Sequence, residues 1–215
     1  MIQLAAMEPG KGSFQVAAVV LAAGGSSRMG QTKQLLPIRG QPMVRRVTEA
    51  VCAAGLDQVV VVMGAHAEAV RDALAGLPVE LVVNAAWAEG MSTSLREGLR
   101  VLRSEIGAAL VVLADQPALA PELIRALVDR YRATGSPIVA PFHEGQRGNP
   151  VLFDRALFPE LLTVQGDRGG RQVIARYQGQ VERVLVDDVA VMADIDTHQD
   201  YEKIQRADDD TGSLG

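Results

Sequence analysis

Short apolar runs alternate along the chain with stretches whose apolar residues recur every three to four positions. Residues 16–23 (VAAVVLAA) form an uninterrupted apolar run bounded by Gly24 and Gly25, the pattern of a strand covered on both faces. Residues 57–63 (DQVVVVM) and 108–114 (AALVVLA) repeat that pattern, and 80–83 is a shorter version of it. Between them lie helical stretches. One opens after Pro42 and runs to Gly55; others cover 66–74 and 92–103, the last with Leu95, Leu99 and Leu102 on one face. Pro121 opens a further helix whose apolar face is Leu123, Ile124, Leu127, Val128 and Tyr131. Residues 136–142 and 150–153 read as strands flanking a polar, Gly-containing excursion (HEGQRGN). Helical stretches follow at 154–162 and 170–177, a late strand at 181–186 and a closing helix at 198–206. Strands separated by helices imply a mostly parallel, twisted sheet with helices on both faces.

Composition narrows what such a domain can do. The 215 residues are 48% hydrophobic and 22% charged, ordinary for a globular chain and enough for one sizeable core. No repeat or Pro/Gly/Ser-rich linker divides them, so one α/β domain is expected over 15–206. Residues 1–14 read as a flexible N-terminal tail and 207–215 as an acidic C-terminal tail. Aromatics make up only 4%, which disfavours a single-strand binder built on stacking platforms. A net charge of −5 disfavours duplex binding through a broad basic face, so no nucleic-acid partner is expected. No apolar run approaches the ~18 residues of a spanning helix, and no membrane partner is expected. The single cysteine, Cys52, excludes an internal disulfide and a cysteine zinc site, and points to a reducing cytoplasm. Falling mid-helix among apolar neighbours, it reads as an inert thiol. His66, His143 and His198 show no metal-ligand spacing.

In an open parallel sheet, ligands sit outside the carboxyl ends of the strands. The loop leaving the first strand reads LAAGGSSRMGQTKQLLP, residues 21–37. Its glycines allow a ligand to approach the backbone closely, Ser26 and Ser27 add hydroxyls, and Arg28 and Lys33 add two positive charges with no acid between them. That combination suits a polyphosphate. A P-loop would need G-x-x-x-x-G-K-[ST]; Gly25 and Gly30 have the spacing, but the lysine arrives late, at position 33. A dinucleotide fingerprint would need G-x-G-x-x-G and an acid closing the second strand, which ends Val62-Met63-Gly64 instead. A solvated Gly/Ser turn is the plain alternative for the loop alone.

Residues 21–30 (LAAGGSSRMG) with Lys33 and Leu36-Pro37 resemble the signature of sugar-phosphate-type nucleotidyltransferases. Together with Asp115-Gln116-Pro117, Arg147-Gly148-Asn149-Pro150, Gly166-Asp167-x-Gly169-x-Arg171 and Asp194-Ile195-Asp196-Thr197, they resemble the molybdenum cofactor cytidylyltransferase family over about residues 16–206. The resemblance implies a three-layer, Rossmann-like (GT-A-like) nucleotidyltransferase fold. It implies transfer of CMP from CTP to the terminal phosphate of molybdenum-loaded molybdopterin, with release of pyrophosphate and with Mg²⁺ or Mn²⁺ as cofactor. A molybdoenzyme or its maturation chaperone is the protein partner it implies. Related guanylyltransferases carry LAGG where this chain has Leu21-Ala22-Ala23-Gly24, which favours CTP over GTP.

Carried onto these residues, the resemblance gives Arg28, Lys33 and Asp115 catalytic roles. Leu21, Ala22, Ala23, Gly24, Gly25, Ser26, Arg28, Lys33, Gly64, Asn84 and Ser92 would bind the nucleotide. Arg147, Gly148, Asn149, Asp167 and Arg171 would bind the acceptor, and Asp115 and Asp194 the metal. Each motif has a chemical sense and a plain alternative. Asp115 follows a buried strand at the ligand edge, where a carboxylate can hold a divalent ion; it could equally begin the turn before Pro117. Asp194 and Asp196 alternate along an extended segment, so only one can share a metal with Asp115, and Asp196 is a natural helix cap. Ser92 could cap its own helix, and the two Arg-bearing loops could be surface turns. Three rivals remain at this stage: a GTP-using guanylyltransferase or other nucleotidyltransferase, an NAD(P)H-dependent oxidoreductase of a heteroaromatic substrate, and a non-catalytic nucleotide-binding helper.

Overall fold

The computed structural model describes residues 14–25, 32–187, 194–195 and 199–202. The element order is β1 (Gln15–Ala22), a 3₁₀ turn (Lys33–Leu35), the hairpin β2 (Pro37–Ile38) and β3 (Gln41–Pro42), and α1 (Met43–Ala53). Then come β4 (Gln58–Met63), α2 (Ala67–Ala73), β5 (Glu80–Val83), α3 (Met91–Arg100), β6 (Ile106–Leu113) and α4 (Pro121–Thr134). The chain continues through β7 (Ile138–His143), β8 (Gln146–Arg147), β9 (Val151–Asp154), α5 (Phe158–Leu161), α6 (Arg171–Arg176) and β10 (Val181–Leu185). The tails expected at 1–14 and 207–215 lie outside the described residues apart from Phe14, as does most of the closing helix, of which 199–202 are helical.

The strands form one sheet in the order β10-β7-β9-β6-β1-β4-β5, with β8 paired to β7. All neighbours on that path are parallel except β9, which runs antiparallel to both β6 and β7. The central strands have near-continuous apolar runs because both their faces are covered. One face (Val16, Ala18, Val20, Val61, Leu110 and Val112) packs against α1, α2 and α4. The other packs against α3, α5 and α6 through Leu95, Leu99, Phe158, Leu161 and Val173. Helices therefore cover both sides of a mostly parallel sheet. No helix among the described residues is long and apolar enough to cross a membrane.

Helix boundaries follow the local chemistry. Pro121 sits in the first turn of α4, where its missing N–H is not needed, and Gly135 takes a left-handed φ of 62° so that its N–H closes on Tyr131 O at 2.8 Å. The helix expected at 154–162 is shorter. Asp154 still belongs to β9, and its carboxylate accepts from Ala156 N at 2.7 Å; a 3₁₀ turn follows before α5. Tyr131 donates to Asp154 Oδ2 at 2.6 Å beneath the same strand. Burial first, and the Asp154 carboxylate second, push this phenol above its ordinary value.

Register places the carboxyl ends of four strands at one edge of the sheet. Leu21 lies beside Leu113, Ala22 beside Met63, and Met63 beside Val83. Every loop leaving that edge therefore opens on the same side of the molecule.

Candidate functional site

A cavity of ≈ 300 Å³ opens at this edge. Leu21, Ala23, Gly24 and Gly25 from the end of β1 form its floor, and Leu113, Ala114 and Asp115 from the end of β6 bound it on one side. Trp87, Ala88, Gly90, Met91 and Ser94, from the β5–α3 connection, bound it on the other, with Asp167 above Gly90. Hydrogen bonds hold the floor: Ala114 N donates to Leu21 O (3.2 Å), Ala65 N to Ala23 O (3.3 Å) and Gln34 Nε2 to Gly24 O (2.9 Å).

At the β6 end, Lys33 Nζ and Asp115 Oδ2 are 2.8 Å apart, with side chains only 13% and 26% exposed. Arg46 Nε donates to Pro117 O (2.9 Å) and Ile195 N to Asp115 O (3.0 Å), so the turn carrying Asp115 is held from two sides. Ile195 is fully buried against Leu36, Ile38 and Met43, and its backbone bond to Asp115 carries the neighbouring Asp194 to the same end of β6. Among the described residues, no cluster of three or more His, Cys, Asp or Glu side chains could hold a metal. Two carboxylates nevertheless fit a phosphate-associated divalent ion, whose remaining ligands come from the substrate and water. Asp115 Oδ1 is shielded from solvent and accepts no hydrogen bond among the described residues, and Asp194 Oδ1 is equally shielded. Ser26, Arg28 and Asp196 lie outside the described residues, so the catalytic role expected of Arg28 has no geometry here.

The nucleotide-binding residues expected from sequence divide into two groups. Leu21, Ala23, Gly24 and Gly25 line the cavity, whereas Ala22 points into the core. Asn84 is 2% exposed and committed internally: its amide donates to Thr93 Oγ1 (2.7 Å) and Ser94 Oγ (3.0 Å) and accepts from Ala86 N (2.9 Å). It ties β5 to the start of α3 and is not among the cavity's lining residues. Ser92 is buried at 1% exposure, and Ser94, one turn position on, reaches the cavity instead. Gly64 lies behind the floor. A Cβ there would fall 2.4 Å from Ala23 O, so only a glycine allows the two loops to touch.

A smaller cavity of ≈ 50 Å³ adjoins the first and shares Met91 and Leu113 with it. Arg147, Asn149 and Arg171 line it, three of the residues expected on the acceptor side. Burial first, and the nearby Arg171 charge second, lower the Arg147 guanidinium from its ordinary value. Two like charges held together in a half-buried cleft make a site for an anion. Gly148 is not among the lining residues; its N–H closes the β7–β8 hairpin on Pro141 O at 2.9 Å. Asp167 lies on the first cavity, not the second, and its Oδ1 accepts from Met91 N at 3.3 Å.

Trp87 and Gln34 were not singled out by motif reasoning. The available signals were the uniqueness of the tryptophan, its position just before a helix at the ligand edge, and Gln34 lying one residue after Lys33. Cys52 is far from the site; burial and then the Glu49 charge push its thiol up, consistent with an inert residue.

The model of the MobA-like NTP transferase domain matches residues 18–183. The chain belongs to that family. It is 33% identical over 190 residues to the nicotine blue oxidoreductase of Paenarthrobacter nicotinovorans, spanning 85% of this chain and 92% of that one. Its fold is similar to that of a nucleotidyl transferase from Methanothermobacter, with TM-score 0.80 and 26% identity over 93% of this chain and 100% of the other. It is equally similar to Rv0371c of Mycobacterium tuberculosis H37Rv in a complex with manganese, with TM-score 0.79 and 30% identity over 90% and 99% of the two chains. A MobA-like nucleotidyltransferase with a Rossmann-like sheet is thus what the chain is.

Proposed function

We propose that this MobA-like protein transfers CMP from CTP to the terminal phosphate of molybdenum-loaded molybdopterin, forming the cytosine dinucleotide cofactor and pyrophosphate. The observation that carries the reading is the pair of adjoining cavities. One has the Leu21, Ala23 and Gly24 floor and Asp115, which Lys33 pairs at its edge, and the other a pair of arginines suited to a second anion. An oxygen of the acceptor phosphate attacks the α-phosphorus in line, the α–β bridging P–O bond breaks, and pyrophosphate leaves. The protein forms no covalent intermediate, so orientation and charge stabilisation supply the acceleration.

Lys33 stabilises negative charge on the α-phosphate and the departing pyrophosphate, and Arg28 is assigned the same work. Arg147 and Arg171 hold the acceptor phosphate against the shared wall of Met91 and Leu113. Asp115 and Asp194 would hold the divalent ion, Mg²⁺ or Mn²⁺, whose charge would neutralise the phosphate oxygens. The complex of Rv0371c with manganese supports a divalent ion in a relative.

A second reading has one observation in its favour, the relative named nicotine blue oxidoreductase. A nicotinamide cofactor, however, would find neither the glycine spacing after β1 nor an acid after β4, where Gly64-Ala65 stands. Thermal shift with CTP, GTP, ATP and NAD(P)H separates the readings, each nucleotide tested with Mg²⁺, followed by pyrophosphate release with the molybdenum-loaded pterin. The expected result is stabilisation and turnover with CTP. Micromolar NAD(P)H binding without any shift by CTP–Mg²⁺ would replace this reading with the oxidoreductase.

A further inference from the structure

The chain contains a single tryptophan, and the fold places it on the cavity. Trp87 follows β5, yet its side chain reaches back over the exits of β1 and β4. A Cβ at Gly25 would stand 2.8 Å from Trp87 Cζ3 and 3.0 Å from Cη2, and one at Gly64 would stand 2.7 Å from Trp87 Cβ. The indole is therefore seated directly on two backbone loops. It is half-buried and helps line the cavity.

We propose that Trp87 is the wall against which the nucleotide base lies, and so a further determinant of base preference beside the Leu21–Gly24 floor. This inference rests on the reading of the larger cavity as the nucleotide site. The charged pair Lys33–Asp115 occupies the β6 end, which suits the phosphates. The opposite side offers the apolar surface of Trp87, Ala88 and Met91, with Ser94 and the Asp167 carboxylate beside it, and suits a base that has both a flat face and polar edges. From the β6 exit to the β4 exit is two strand spacings, or about 10 Å, enough to separate a reacting phosphate from a base. At ≈ 300 Å³ the cavity is at the small end for ligand sites, so the position of one wall decides whether a larger ring fits. That wall cannot retreat toward Gly25 or Gly64, because no space separates it from their backbone. A smaller residue at position 87 would enlarge the cavity.

Because no other indole is present, intrinsic fluorescence of the full chain reads this contact directly. CTP–Mg²⁺ should change the emission saturably, while inorganic tripolyphosphate with Mg²⁺, which has no base, should bind by calorimetry and leave emission nearly unchanged. In Trp87→Ala, calorimetry should show CTP binding weakened roughly 10-fold, tripolyphosphate binding within about 2-fold of wild type, and the GTP:CTP affinity ratio moved toward GTP. Trp87→Phe should recover most of the CTP affinity, and it provides the same ratio if the alanine variant does not fold. CTP turnover with unmoved emission, or an unchanged GTP:CTP ratio in both variants, overturns the inference and leaves the cytidylyl reading intact. If GTP instead moves the emission and supports turnover, and Trp87→Ala alters its preference, the cytidylyl reading falls and the role of Trp87 stands.

Discussion

Replacing Asp115 by Asn isolates the charge at the β6 end of the cleft from its shape. The amide keeps the size of the side chain, but Lys33 Nζ, 2.8 Å from Oδ2, loses an anionic acceptor in a place where its own side chain is 13% exposed. A hydrogen bond to a charged group contributes about 1.5–3 kcal/mol. Asp115 is 26% exposed and partly screened by solvent, so the lower half of that range applies. For a domain of this size, about 2–4 °C of Tm per kcal/mol converts the loss to roughly 3–9 °C. Turnover should fall much further, by ~10²–10³, because the same carboxylate is assigned to the metal and its loss is felt at the transition state. The double variant Lys33→Met/Asp115→Asn leaves neither charge behind, so it should recover part of the Tm while remaining inactive. The assays are differential scanning fluorimetry and pyrophosphate release on all four members of the cycle. Near-native pyrophosphate release by Asp115→Asn, or stability losses that simply add in the double variant, would refute the reasoning.

Gly64→Ala forces a methyl within 2.4 Å of Ala23 O, so about 1–3 kcal/mol of stability should be lost, together with nucleotide affinity, in thermal melts with and without CTP–Mg²⁺. Arg171→Gln removes one of two like charges, so the unliganded Tm should hold or rise slightly while the KM for the acceptor increases about 10-fold or more. Tyr131→Phe removes the donor to Asp154 Oδ2 and should cost about 1–2 kcal/mol at neutral pH. The phenol's folded value lies above its unfolded value of 10.0, so its contribution is whole below that pH and is lost as the pH rises further. Wild-type melts between pH 9 and 11, on the order of the unfolded phenol's titration range, should therefore show a decline that Tyr131→Phe partly lacks.

What was legible in the sequence follows from how each feature is encoded. Strands such as β1 and β4 are runs of Val and Ala with glycine or a polar residue at their ends, and such local signals survive folding. The antiparallel insertion of β9 between β6 and β7 is set by nonlocal pairing, and nothing within VLFD announces it. The same distinction divides the site. The family resemblance led to Gly24, Gly25, Lys33, Asp115, Arg147 and Arg171, all of which reach the two cavities or the ion pair at their edge. It also led to Asn84 and Ser92, which the packing of α3 turned inward, because a motif marks a segment without fixing which of its side chains faces the ligand. Asp167 falls between the cases: its loop carries Arg171 to the smaller cavity, but its own carboxylate reaches the first cavity, on the N-terminus of α3.

A chain with a net charge of −5 can bind polyanions because its local charges are partitioned. At the edge of the first cavity Lys33 lies against Asp115, so each neutralises the other before substrates arrive. In the second, Arg147 and Arg171 line the same small cavity and the charge of one disfavours that of the other, a repulsion that an entering anion would offset. The consequence is an asymmetry between the two substrates. Acceptor binding should weaken with added salt, because it depends on two cations that are screened together. Nucleotide binding should be less salt-sensitive, because its charges are exchanged within a largely buried pair while the base is held by apolar contact. Titrating inorganic phosphate and CTP–Mg²⁺ separately across ionic strength would expose that difference; equal salt dependence would mean that the two cavities do not divide the charge in this way.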